Sequence, residues 1–92
     1  MAKNKAGYET IFDPRIQLTP ELAFMLGIGE NSLQCLILYY GVGCEPLSAR
    51  ATAEKLGLRE NHARSLLNRS LRILRDHLKY LKSHNVMRLI HD

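Results

Sequence analysis

The segment from Leu47 to Arg75, LSARATAEKLGLRENHARSLLNRSLRILR, restricts this chain to few folds. Ser48 stands where a helix N-cap would, with a hydroxyl able to accept a hydrogen bond from a free amide of the first turn. Ala53 is small enough for two crossing helices to approach there. Gly57, four residues on, tolerates the positive φ of a sharp turn. Leu56, Leu58, Ala63 and Leu66 then supply apolar groups to lock a second helix onto the first. The outward positions after the turn are Arg59, Glu60, Asn61, His62, Arg64 and Ser65, side chains able to bond base edges or phosphates. Together these features predict a helix-turn-helix. Two surface helices joined by a glycine turn are the plainer alternative.

The rest of the chain reads as helix around that motif. Residues 1–17 are expected to form an irregular arm, since Gly7 and Asp13-Pro14 oppose a helix. Tyr8, Ile11, Phe12 and Ile16 could pin that arm to the body. Thr19-Pro20-Glu21 is a strong helix start: a capping hydroxyl, a proline at the first helical position and an acid near the positive end of the dipole. The helix should end by Gly27 or Gly29, and Leu22 to Leu26 are so densely apolar that much of it should be buried. A further helix is expected from about Glu30 to Tyr40, with Leu33, Leu36, Ile37 and Tyr40 on its inward face. Leu38 and Tyr39 fall off that stripe, either as extra core or as an apolar spot for a partner. Gly41, Gly43 and Pro46 mark a loop.

The last helix should be long. Ala63, Leu67, Ser70, Leu71, Leu74, Leu78 and Leu81 follow helical spacing to about Lys82, while Arg64, Arg72, Arg75, Lys79 and Lys82 lie opposite. A rod of roughly 36 Å, at ~1.5 Å per residue, exceeds what the helices before it need. Its distal half must pack on the arm, on another chain or on the tail VMRLI. The expected fold is a small all-α domain, residues 18–92, behind the arm, with the helix-turn-helix proper at about 48–75.

Charge sharpens the functional reading. Residues 1–45 carry three basic and five acidic side chains, a balance of −2, whereas residues 46–92 carry ten and four, a balance of +6. That basic excess on and beyond the motif suits counterion release from a polyphosphate. A solvated face or an acidic lipid surface are the other uses of a basic helix. No run approaches the ~18–20 apolar residues of a membrane span, and the start MAKNKAGYET lacks the apolar core of a signal peptide. Cys35 and Cys44 are the two cysteines. They are expected to be reduced thiols in a cytoplasmic protein, with Cys35 packed as a small hydrophobe.

Residues 28–75 resemble the fourth domain of bacterial sigma-70-type RNA polymerase factors, which recognises the −35 promoter element. LQCLILYYGVGCEPLS is similar to the family's helix ending in Arg-Tyr-Gly-Leu and the loop leading to a Leu-Thr pair. EKLGLRENHARSLLNRSLRILR is similar, without gaps, to a Leu-Gly-Val turn, a polar run, Val-Arg-Gln-Ile and a closing Ala-Leu-Arg-Lys-Leu-Arg, kept here as Ser70-Leu71-Arg72-Ile73-Leu74-Arg75.

The resemblance implies that the opening turn of the last helix enters the major groove, with Glu60, Asn61, His62, Arg64 and Ser65 at base edges. It gives phosphate contacts to Ser48, Arg50, Arg59, Arg69 and Arg72. Of the family's usual base-contacting set only Arg64 is retained, so the −35 consensus itself is not carried over. Arg50 replaces a residue that is usually acidic. Thr52 and Ala63 replace larger β-branched apolar residues. The resemblance also implies docking on the flap of the polymerase β subunit through Leu33, Leu36, Ile37 and Tyr40, for which core packing is the alternative. Since the melting domain of a complete sigma factor has no room in 92 residues, the expectation is a stand-alone DNA-binding transcription regulator.

Two further readings stay open. One is a protein-interaction module that occupies polymerase or a sigma partner without reading DNA. The other is a LuxR-like dimeric regulator, with Leu74, Leu78 and Leu81 as its dimer contacts. The partners expected are therefore double-stranded DNA, RNA polymerase core and a second copy of the chain, with no membrane. A cofactor, a metal and enzymatic activity are not expected. There is no Gly-rich phosphate loop, HExxH or CxxC. His77, His84 and His91 stand two helical turns apart, about 10 Å, too far to share one metal.

Overall fold

The computed structural model describes residues 7–83. Five helices occur among these residues and no strand does: α1 (Tyr8–Ile11), α2 (Pro20–Leu26), α3 (Glu30–Tyr40), α4 (Ala49–Leu56) and α5 (Glu60–Ser83). The domain is all-α. The tail VMRLI, His84 and His91 lie outside the described residues.

The long helix α5 is the wall on which everything else is built. α1, α2, α3 and α4 each pack against it, and α3 also meets α2 and α4. Its inward stripe of Ala63, Leu67, Ser70, Leu71 and Leu74 is buried. Those residues recur every three or four positions, which keeps one face of a 3.6-residue helix on the core. The rest of the core comes from Ile11, Ile16, Ala23, Ile28, Leu33, Cys35, Leu36, Tyr40 and Ala53. Ser70 lies on the buried stripe because its hydroxyl donates to the Leu66 carbonyl, 2.7 Å away, one turn back.

The segment expected to be an irregular arm contains a helical turn. α1 sits between the two breakers, Gly7 and Asp13-Pro14, and buries Ile11. Gly7 has φ of 84°, and a Cβ built there would lie 2.7 Å from a Leu71 methyl and 2.9 Å from the Tyr40 hydroxyl. The arm thus passes close to Leu71 and Tyr40 through a residue with no side chain. After α1 the chain turns at Asp13, whose carboxylate accepts from the Arg15 amide at 2.8 Å and from the Arg15 guanidinium at 2.9 and 3.0 Å. These hydrogen bonds hold the Asp13 carboxyl below the usual carboxylate range.

α2 begins as its capping signal requires, with Thr19 Oγ1 accepting from the Leu22 amide at 3.1 Å and Pro20 at the first position. Its burial is smaller than the apolar run suggests. Ala23 is buried and Leu22 and Leu26 are half-buried, but Phe24 and Met25 are 77% and 81% exposed. Seven residues make barely two turns, so one narrow stripe touches α3 and α5 and the remainder faces outward. α3 spans the expected residues and turns Leu33, Leu36 and Tyr40 inward, together with Ser32 and Cys35. Burial pushes the Cys35 thiol upward. Cys44 is exposed, and the two cysteines are not bonded to each other.

Candidate nucleic-acid interface

The candidate interface is assembled by α4, its turn and the first two turns of α5. Ser48 is the N-cap of α4: its Oγ accepts from the Ala51 amide at 3.0 Å. α4 then buries Ala49, Thr52 and Ala53 against α3 and α5. Gly57 follows with φ of 70°, and its amide and that of Leu58 bond back to Glu54 and Ala53 carbonyls. The left-handed residue reverses the chain within Gly57, Leu58 and Arg59, and α5 starts at Glu60. Ala53 and Ala63 are 2% and 0% exposed, as expected where helices cross closely. One side chain in this joint is poorly served: Thr52 Oγ1 is buried without a hydrogen-bond partner.

The predicted base-contacting residues share the opening of α5. Asn61, His62, Arg64 and Ser65 are exposed, and Glu60 is half-buried. Arg64 is engaged: its Nη2 and Nε donate to Glu60 Oε2 at 2.7 and 3.0 Å. An exposed pair at this spacing is worth about 0.3–0.5 kcal/mol, against roughly 1–3 kcal/mol for a good bidentate contact to a base. The pair therefore orients Arg64 without locking it away from a stronger partner.

The predicted phosphate-contacting residues divide. Ser48 and Arg50 lie at the N-terminus of α4, with Arg50 Nε a loose 3.8 Å from Glu54. Ala49 between them lines a small hollow with Arg64, Tyr39 and Asn68, which joins this end of α4 to α5. Arg59 is exposed at the turn, and its carbonyl accepts from the Ala63 amide. Arg72 is exposed two turns beyond Arg64. Arg69 belongs elsewhere: it lines a hollow with Gly27, Ile28 and Glu30 at the α2–α3 junction. At ~100° per residue it stands some 140° around the helix from Arg64, so the two do not share a face. Sequence reasoning gave no role at the site to Tyr39 and Asn68, although Asn68 repeats at four residues from Arg64 and seven from Asn61.

Burial removes Leu33, Leu36, Tyr40 and Leu74 from the predicted partner contacts. Leu33, Leu36 and Tyr40, proposed for a polymerase flap, are 8%, 0% and 1% exposed. They form the wall between α3 and α5, and Ile37 alone of that set is half-exposed. Leu74, proposed for a dimer, is 0% exposed within a single chain. Leu78 and Leu81 are half-buried and pack against the same core. The apolar row on α5 is covered at its centre by the chain's own elements, with α1 among them. Tyr40 hydroxyl ionisation is pushed up to about 12, chiefly by burial.

Among the described residues no three His, Cys, Asp or Glu side chains gather as a metal site, and no helix is long and apolar enough to cross a membrane. No family model matches the chain, and no curated protein or solved structure is detectably similar to it.

Proposed function

We propose that this chain is a DNA-binding transcription regulator resembling sigma factor domain 4, which reads duplex DNA through the major groove with the opening turn of α5. The observation that carries the reading is the division of labour across that turn. Ala63 and Leu67 are buried against the body, while Asn61, His62, Arg64 and Ser65 are presented outward by the same helix. A major groove about 12 Å wide admits a helix lying in it with its N-terminal residues at base edges, and Asn and Arg there match adenine and guanine edges. Arg50, Arg59 and Arg72 would bond the flanking phosphates, fixing the register without reading sequence. The polymerase contact of such a regulator would have to use a surface other than Leu33, Leu36 and Tyr40.

The test is fluorescence anisotropy on random duplexes at two salt concentrations. Binding should be measurable at low salt and weaken steeply at high salt, as counterion release requires. A second reading, a protein-interaction module, is favoured by one observation: Phe24 and Met25 are large, adjacent, apolar and exposed. Absence of DNA binding at low salt, with polymerase co-purifying from a bacterial lysate, would favour that second reading.

A further inference from the structure

α5 carries a second charged feature that the recognition turn does not use. From Arg64 the exposed side continues through Asn68, Arg72, Arg75 and Lys79 to Lys82. At ~100° per residue these positions stay within about 80° of one another. The stripe therefore runs straight along the helix for roughly 27 Å at ~1.5 Å per residue. It is also concave. Asn68, Leu71, Arg72, Arg75, Asp76 and Lys79 line a shallow hollow of about 530 Å³. The smaller hollow beside Arg64 shares Asn68 and Leu71 with it, so the two adjoin. Among the described residues, Arg72, Arg75, Lys79 and Lys82 form no ion pair, whereas Arg15, Arg50 and Arg64 do. Asp76 is the one acid lining the hollow, against three cations.

We propose that this distal groove is a second phosphate-binding track, in which Arg75 and Lys79 hold the sugar–phosphate backbone of the same duplex that the opening turn of α5 reads. The inference rests on the DNA-binding reading and extends it. Arg75 lies 14 residues past Asn61, about 21 Å along the axis, well beyond the ~12 Å width of a major groove. A helix that lies in the groove with its first turn at the bases would leave the groove over this distal hollow and bring it to the flanking strand. An acidic membrane fits less well, because the apolar face of α5 is occupied by the core and cannot enter lipid. The contacts would be to phosphates and so indifferent to sequence.

The experiment compares the full chain with R75Q/K79Q and with the charge-preserving R75K/K79R, each checked for helicity by circular dichroism. Anisotropy is measured on a duplex of two helical turns across a salt series, for random and for selected sequences. The proposal expects the slope of log affinity against log salt to flatten by about two units in R75Q/K79Q. It expects every sequence to be weakened alike and the slope to be kept in R75K/K79R. Binding by the wild-type chain with an unchanged slope in R75Q/K79Q overturns the second track and leaves the recognition turn standing. Failure of the wild-type chain to bind any duplex overturns both.

Discussion

At the scale of single residues, the joint between α4 and α5 holds a test of how well it is built. Thr52 is 0% exposed, and its hydroxyl lacks a partner. A buried polar group left unbonded costs about 1–3 kcal/mol. Thr52→Val replaces the hydroxyl by a methyl of similar size, and the expected outcome is a gain of about 1 kcal/mol. Thermal melting should show it as a rise of roughly 4–8 °C for a domain of this size. An unchanged or lowered midpoint would mean that the hydroxyl is satisfied in solution. Arg64 offers the functional counterpart. Its pairing with Glu60 is weak enough to exchange for a base, so Arg64→Ala should cost about 1–3 kcal/mol on a selected site. The loss on random DNA should be smaller. Arg72→Ala should weaken both kinds of DNA about equally. Equal losses on both kinds of DNA for Arg64→Ala would remove base reading from this helix.

At the scale of elements, what was legible in the sequence and what was not follow from where the signals live. α3, α4 and α5 carry their boundaries as local chemistry: Ser48 as a side-chain cap, Gly57 as a left-handed stop, apolar residues every three or four positions. Local signals of that kind survive whatever packs around them. The turn of helix at Tyr8–Ile11 had no such signal. It forms because Ile11 finds the core beside α5, a tertiary cause invisible in four residues. The exposure of Phe24 and Met25 was hidden for the same reason, since composition states how apolar α2 is and not how little of it α3 and α5 can cover. The outward set at the opening of α5 was legible from spacing alone. Arg69, exposed about 140° around α5 from Arg64, stands apart from that residue, and the hollow it shares with the α2–α3 junction depends on packing the sequence does not state. The capping claim can be checked directly. Ser48→Ala removes the bond to the Ala51 amide and should destabilise the domain by about 1 kcal/mol. Amide exchange should quicken in the first turn of α4 before it does in α3. Uniform acceleration throughout the domain would show that the cap is not a local device.

At the scale of the whole molecule, Tyr40 stands where three parts of the chain converge: its own helix α3, the row of α5, and the arm at Gly7. Burial raises its pKa from 10.0 to about 12, with Tyr39 adding to the effect and Arg75 opposing it. A folded-state pKa above the unfolded one means that the native state holds the proton more tightly. The stability it brings is complete below about pH 10 and is lost as pH rises toward 12. Melts at pH 9 and pH 11 should therefore show a fall in midpoint for the wild-type chain in excess of that for Tyr40→Phe, which lacks the ionisable group. Parallel falls would place the hydroxyl in contact with water. The same convergence bears on α5, which through its middle turns carries exposed cations on one side and buried Leu67, Leu71 and Leu74 on the other. Its middle belongs to surface and core at once. Whatever settles on its outer side also restrains the leucines behind, so occupancy enters the unfolding equilibrium as mass action. A bound duplex would slow exchange of the amide at Leu74, which it never touches, and the melting point of the domain would become a measure of its own ligand.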